Sequence, residues 1–164
     1  MRGAVSSIHI AFAGAAPIIS LGEIQAIAGK GLEGDRYYLK TGTYSKTPGT
    51  GREVTLIEIE AIEALTREYG IDIDAAQARR NIVTRGVGLN RLVDREFAVG
   101  EAVLRGTRLC EPCAHLEKLT FKGVMPGLIH RGGLRADVVR GGVIRVGDTI
   151  SVTTEARLPK SLAL

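Results

Sequence analysis

The chain has 164 residues, 45% hydrophobic and 24% charged, with a net charge of +4 and a pI near 9.3. That is the size of one domain with a real core and no need of disulfide staples. The positive excess permits anionic ligands without requiring them. Aromatic residues at 4%, with no Trp, argue against nucleic acid as a partner, because a single-strand surface is built on stacking.

The 21 glycines scattered among short Val/Ile runs predict a mostly β chain with many turns. Residues 4–13 read as a first strand, since Ile8, Ile10 and Phe12 alternate. Gly3 to Gly22 carries no charge, with Arg2 before it as a minimal n-region and an A-x-A-like site in AFAGAA. His9, Gly14 and Pro17, however, break the apolar centre that a signal peptide needs. The strand reading prevails, and with it a cytoplasmic protein. The stretch is also too polar for a transmembrane helix, so no membrane is expected as a partner.

Glu23 to Ala28 is a short strand running into the glycine-rich AGKGLEGDRYY. LKTGTYSKTPGTG, residues 39–51, has no apolar period and reads as a loop. EVTLIE is a strand. IEIEAIEALTREYG is a helix, because Ile57, Ala61, Leu65 and Tyr69 recur every four residues and Gly70 supplies the stop. DAAQARRN reads as a second short helix capped by Asp72 or Asp74. NIVTRGV is a short strand. The remainder is strand-rich, with small helices near PCAHLEKL and MPGLIHRG.

FAVGEAVLRG, residues 97–106, and IRVGDTISVT, residues 144–153, share an apolar, Val-Gly-acid pattern. Each reads as strand, tight turn, strand, with the acid bonding turn amides. The echo fits a barrel of two similar halves, and equally a pattern on which any β-turn converges. No linker splits the chain: a single domain over 1–155 is expected, with ARLPKSLAL, 156–164, as a C-terminal tail.

Four groups of residues can carry chemistry. Cys110 and Cys113 are the two cysteines. A thioredoxin-type pair needs a βαβ context and a helix N-terminus, which the flanking residues do not show. Pro112 pushes Glu111 toward an extended conformation. With His115 the pair makes C-x2-C-x-H, but structural zinc usually takes four ligands, and the other histidines are His9 and His130. From composition alone, two buried cysteines are the simpler reading. Gly29, Gly31 and Gly34 permit positive φ and close approach to a ligand, with Lys30, Asp35 and Arg36 beside them. No G-K-[ST] closes this loop, so it is no P-loop, and a plain turn accounts for it. Arg79 and Arg80 offer forked donors for phosphate, and Asn81 a donor and acceptor for a heterocycle edge. For one arginine alone, a solvated helix end suffices. Arg131, Arg135, Arg140 and Arg145 lie among paired glycines and include charges on hairpin surfaces.

The order of GLEGDRY, REVTLIEIEAIEAL, ARRNIVTRGVGLNRL, FAVGEAVLRGTRLCEPCAHLE and MPGLIHRGGLRADVVRGGVIRVGD resembles the MOSC domain, the molybdenum cofactor sulfurase C-terminal domain family. The resemblance runs over roughly residues 5–152, in the small stand-alone bacterial form. It implies a mostly β fold, a mixed-strand β-barrel with a few short peripheral helices, that binds the molybdenum–molybdopterin cofactor. It implies that Cys113 is the molybdenum ligand or a sulfur carrier, and that Cys110 is packing or an auxiliary thiol. Arg80 and Asn81, with Arg79 beside them, match the family's cofactor-contacting motif. Gly31, Gly34, Asp35 and Arg36 match its N-terminal motif. Asp35, Glu111 and His115 are then candidates for proton delivery.

A soft thiolate suits a transition metal, and a positive field makes the thiolate available at neutral pH. Three functions follow. One is a molybdoenzyme that reduces N-hydroxylated compounds. Another is a sulfur carrier that delivers a Cys113 persulfide to a metal centre or cofactor. The third is a basic barrel serving as an interaction module. The chain has no room for a pyridoxal-phosphate domain, so a sulfur donor or electron donor protein in trans is expected.

Overall fold

The computed structural model describes residues 2–42, 50–112 and 114–152. Cys113 and the tail 156–164 lie outside the described residues, and His115 is described in its backbone alone. In chain order the elements are β1 Arg2–Ile10, β2 Ile19–Leu21, β3 Glu23–Ile27, β4 Gly31–Leu32, α1 Arg36–Leu39, β5 Val54–Glu58 and α2 Ile59–Tyr69. Then come β6 Ile82–Arg85, β7 Glu96–Val99, β8 Ala102–Leu109, α3 Ala114–Leu119, α4 Val124–Gly127, β9 Leu134–Arg140, β10 Gly142–Arg145 and β11 Thr149–Val152.

The strands close into a mixed barrel in the order β1-β11-β7-β8-β9-β5-β6, with β6 pairing back onto β1. The pair β5–β6 is parallel, and α2 is the crossover that a parallel pair requires. The other barrel pairs are antiparallel. β2 adds to the end of β1, and β3, β4 and β10 form a small second sheet. Register shifts at Val5/Ser7 in β1 and Gly106/Arg108 in β8 mark irregularities of the kind that bend strands round a barrel.

Alternation along the strands sets the core. Ile8, Leu56, Ile82, Phe97, Leu104, Leu134 and Ile150 fill the barrel and are closed to solvent. A second cluster lies outside it, where Ile57 and Val83 meet Ile62 and Leu65 of α2, Leu116 of α3, and Val124 and Leu128 beyond. β5 is therefore buried on both faces, which is why EVTLIE reads as a nearly continuous apolar run.

Of the stretch weighed against a signal peptide, the part up to Ile10 is β1 and Ile19–Leu21 is β2, whereas Phe12, expected in a first strand over 4–13, lies beyond β1 and is exposed. Among the described residues no helix is long and apolar enough to cross a membrane. Gly70 ends α2 in the left-handed conformation, as its position predicts. The second short helix expected over DAAQARRN is only a 3-10 turn, Ala76–Ala78. Asp74 and Gln77 exchange side chain-to-backbone bonds of 2.9 Å across it, and Arg79, with φ 57, turns the chain left-handed and stops it. The two Val-Gly-acid units are both strand, turn, strand, with Gly100 and Gly147 at positive φ. They lie side by side, Val99 opposite Ile150.

Candidate functional site

Where Ile8, Ile82, Leu56 and Leu134 point into the barrel, their neighbours point outward. The registers align these neighbours. Ser20 pairs with His9, His9 N–H donates to Asn81 O at 2.7 Å, Thr55 lies opposite Arg135, and Arg135 lies opposite Arg108. One polar residue per strand thus crosses the outer face from β2 through β1, the entry to β6, β5 and β9 to β8.

From His9 to Thr55 this row is buried and hydrogen-bonded, while Ser20 at its end is exposed. Thr55 N–H donates to Asn81 Oδ1 at 2.9 Å, and Asn81 Nδ2 donates to His9 O at 3.1 Å. The His9 ring lies 2.8 Å from Ser7 Oγ and 3.0 Å from Ser20 Oγ. Burial lowers the pKa of His9, against a smaller raising effect from Asp74, so the imidazole is neutral at pH 7.

Arginines border the row. At its β1 end, buried Asp35 caps α1 and accepts from Ala11 N–H at 3.1 Å and from Arg36 Nη1 at 3.0 Å. Arg36 stacks over the Tyr37 ring at 4.7 Å and donates to Arg79 O at 3.0 Å. The Arg79 guanidinium reaches Ala16 O at 2.9 Å. Burial, then the Arg36 charge, lowers its pKa. Gly34 supplies positive φ before Asp35. Gly31 serves packing: a Cβ there would stand 2.7 Å from Glu53 O.

Arg80 clamps the middle. Its Nε donates to Gly132 O at 2.9 Å and its Nη2 to Cys110 O at 3.2 Å. Cys110 N–H donates to Gly133 O at 2.7 Å. A Cβ on Gly132 would stand 2.9 Å from Pro112 Cδ, so glycine there lets the Cys110–Pro112 segment lie close. The Cys110 residue is 1% exposed and closed to reagents in solution. Glu111 turns away and accepts from His130 N–H at 3.1 Å.

Of a third arginine group, the sequence points to Arg135 alone and not to Arg52 or Arg108. Arg52, just before β5, joins Arg108 and Arg135. Burial and the charges of Arg135 and Arg52 lower the pKa of Arg108, with Cys110 and Asp137 acting the other way. The available signal was Arg108 standing two residues before Cys110, and Arg52 beside Gly51.

The structure therefore brings Asp35, Arg36, Arg79, Arg80 and Asn81 together, and Arg80 joins them to Cys110. Among the described residues no three His, Cys, Asp or Glu side chains gather as a metal site. The donor set instead fits an anionic, heteroatom-rich ligand held by arginine forks.

A closed mixed barrel with helices packed outside it defines a discrete β-barrel domain rather than a scaffold of stacked repeats. The profile of the MOSC domain matches residues 43–151, and this chain belongs to the MOSC domain family. That family is associated with the molybdenum cofactor. No curated protein sequence matches the chain. Among solved structures, the YuaD protein from Bacillus subtilis is similar with a TM-score of 0.77 at 16% identity, covering 93% of this chain and 96% of that one. YiiM from Geobacillus stearothermophilus has a TM-score of 0.68 at 15% identity, covering 94% of this chain and 77% of that one. YiiM from Escherichia coli has a TM-score of 0.64 at 18% identity, covering 95% and 71%. At these identities the likeness shows the fold alone.

Proposed function

We propose that the chain binds a molybdopterin-type cofactor on this outer face and works as a molybdoenzyme on N-hydroxylated compounds. The observation that carries the reading is the Arg80 clamp. It ties the residues of the resemblance's cofactor motif directly to the strand end that carries Cys110 and, three residues on, Cys113. Arg36 and Arg79 supply fixed positive charge for a phosphate, and their own carbonyl and carboxylate partners hold them in place. Cys113 is the proposed metal ligand.

When bound, the cofactor supplies a metal centre able to exchange two electrons. Removing oxygen from an N-hydroxyl group consumes two electrons and two protons and releases water. The electrons come from a donor protein in trans. The residues of this chain bind, orient and hold the site dry. The alternative is a sulfur carrier with a persulfide on Cys113.

The test is anaerobic loading of the apo chain with isolated cofactor, reading pterin per chain. Near-stoichiometric pterin is expected, with affinity about tenfold lower in Arg79→Gln, the usual effect of one charge-assisted bond. No pterin in the parent chain would refute the reading.

A further inference from the structure

We propose that the outer face of α3 and α4 is the docking surface for an acidic electron-carrier protein, which sets an apolar centre on Phe121 and Met125 and carboxylates on Lys118 and Lys122. That the partner carries electrons rests on the function proposed above. The surface, and the acidic chemistry of its partner, stand without that reading.

The pair of helices is apolar on both sides. Leu116, Val124 and Leu128 point inward, into the cluster under α2. Leu119, Phe121, Met125 and Ile129 point outward and are 38–48% exposed. Tyr69, also exposed, extends this face from the end of α2: a Cβ on Gly127 would stand 3.4 Å from its ring. Five of the nine large hydrophobic residues exposed among the described residues therefore gather here. A helix that is apolar all round belongs between two covering surfaces. Gathered aromatic and methionine side chains at a surface mark the centre of a protein contact.

Charge selects the occupant. Lys118 and Lys122 flank Phe121 and are exposed, and neither has an ion-pair partner among the described residues. Glu117, beside them, is turned to Gly123 N–H at 2.8 Å and Met125 N–H at 3.3 Å. The net charge of +4 adds a long-range pull on an acidic partner. A two-fold dimer through this face would bring the lysines of both copies to one contact, where they repel. An anionic bilayer would meet Glu68 and Glu111, half-exposed beyond the other end of α4, where Arg131 and His130 N–H hold them. A protein matches a lysine edge and a carboxylate edge separately.

Position selects the task. α3 begins at Ala114, next in sequence after Cys113, and its six residues rise about 9 Å. The other end of the face, Ile129, leads within three residues to Gly132, which packs on Pro112. The face thus adjoins the cysteine segment at both ends. A carrier docked there gives up two electrons, which with two protons convert an N-hydroxyl group to N–H and water. Electron-transfer contacts are small, and a few apolar side chains beside two lysines suffice for one.

The probe is an acidic plant-type [2Fe–2S] ferredoxin, titrated into the full chain and followed by amide NMR. Perturbations centred on residues 118–129 are expected, with binding that weakens as salt rises. Lys118→Glu combined with Lys122→Glu should weaken binding about tenfold. Phe121→Ser should weaken it while leaving its salt dependence unchanged. No binding, perturbations centred elsewhere, or equal binding by the lysine variant would overturn the surface. Perturbation of the same residues on concentrating the chain alone, or on adding phosphatidylglycerol vesicles, would assign the face to a second copy or to a membrane and overturn the proposal. A second arm uses the cofactor-loaded chain with an N-hydroxylated substrate. The lysine variant should raise the KM for ferredoxin about tenfold and leave turnover driven by dithionite, which needs no docking, unchanged. An unchanged KM overturns the electron-carrier assignment. No turnover with either reductant refutes the proposed function, while the first arm still decides the surface.

Discussion

Asn81 Oδ1 accepts two hydrogen bonds from Thr55, from its N–H at 2.9 Å and its hydroxyl at 3.2 Å, and Thr55 Oγ1 accepts the Asn81 N–H at 3.1 Å. Both residues are closed to solvent, and the Asn81 amide also donates to His9 O. One side chain thus ties three strands below the arginine border. Asn81→Ala removes the acceptor of two buried Thr55 donors, its N–H and its hydroxyl, and the donor to His9 O. Each unsatisfied group costs about 1–3 kcal/mol, so urea unfolding should show a loss of roughly 3 kcal/mol. A loss under about 1 kcal/mol would mean the tie is dispensable.

Asp35 is the matching anchor at the β1 end. Its oxygens cap α1, hold Ala11 N–H and pair with buried Arg36, which in turn positions Arg79 through its carbonyl. Asp35→Ala leaves a buried guanidinium without its anion, a change that typically costs about 3–5 kcal/mol. Thermal unfolding should register that loss. Arg36→Met, which removes the charge rather than orphaning it, should cost less. Equal losses in the two variants would contradict the argument.

His9 sets a pH dependence. Its folded pKa lies below 6.5 because burial disfavours the imidazolium. Above 6.5 its neutral form is present in both states and its contribution is complete. As pH falls from 6.5 toward the lower folded value, the unfolded chain binds the proton first and stability declines. Glu53 and Glu58, whose pKa values burial raises, act in the opposite sense, gaining stability as acid neutralises them. Comparing the chain with His9→Asn isolates the histidine. The difference in urea midpoint between pH 7.5 and pH 5.5 should shrink in the variant, and an unchanged difference would contradict the assignment.

Gly133 holds the cysteine strand end in place. It stands at φ 120, and a Cβ on it would collide with the Leu56 carbonyl oxygen. Gly133→Ala must move the backbone that accepts Cys110 N–H. In a Cys113→Ser background Cys110 is the only thiol of the chain. It should resist an aromatic disulfide reagent when Gly133 is present and react readily in Gly133→Ala. Equal reactivity would show that the contact does not guard the thiol.

Much of the barrel was legible. Alternation marked β1, the near-continuous apolar run marked β5, and a four-residue period with a terminal glycine marked α2 and its stop. The turn at Ala76–Ala78 was over-read as a helix because its left-handed Arg79 carries no sequence signature, unlike a glycine. The site was half legible. Arg36, Arg79 and Arg80 were visible as motif residues. The polar row was not, since His9, Asn81, Thr55, Arg135 and Arg108 are scattered along the chain. Only strand register places them next to one another. Arg52 and Arg108 escaped for the same reason, each reading alone as an ordinary surface charge.

The central claim is that this barrel holds a molybdenum pterin through Cys113. The most direct measurement is metal and pterin content of the chain purified without oxygen from a cofactor-producing host, with Cys113→Ser purified beside it. The account predicts molybdenum and pterin near one per chain in the parent, and loss of the metal in the variant. Neither metal nor pterin in the parent, or full molybdenum in Cys113→Ser, would contradict it.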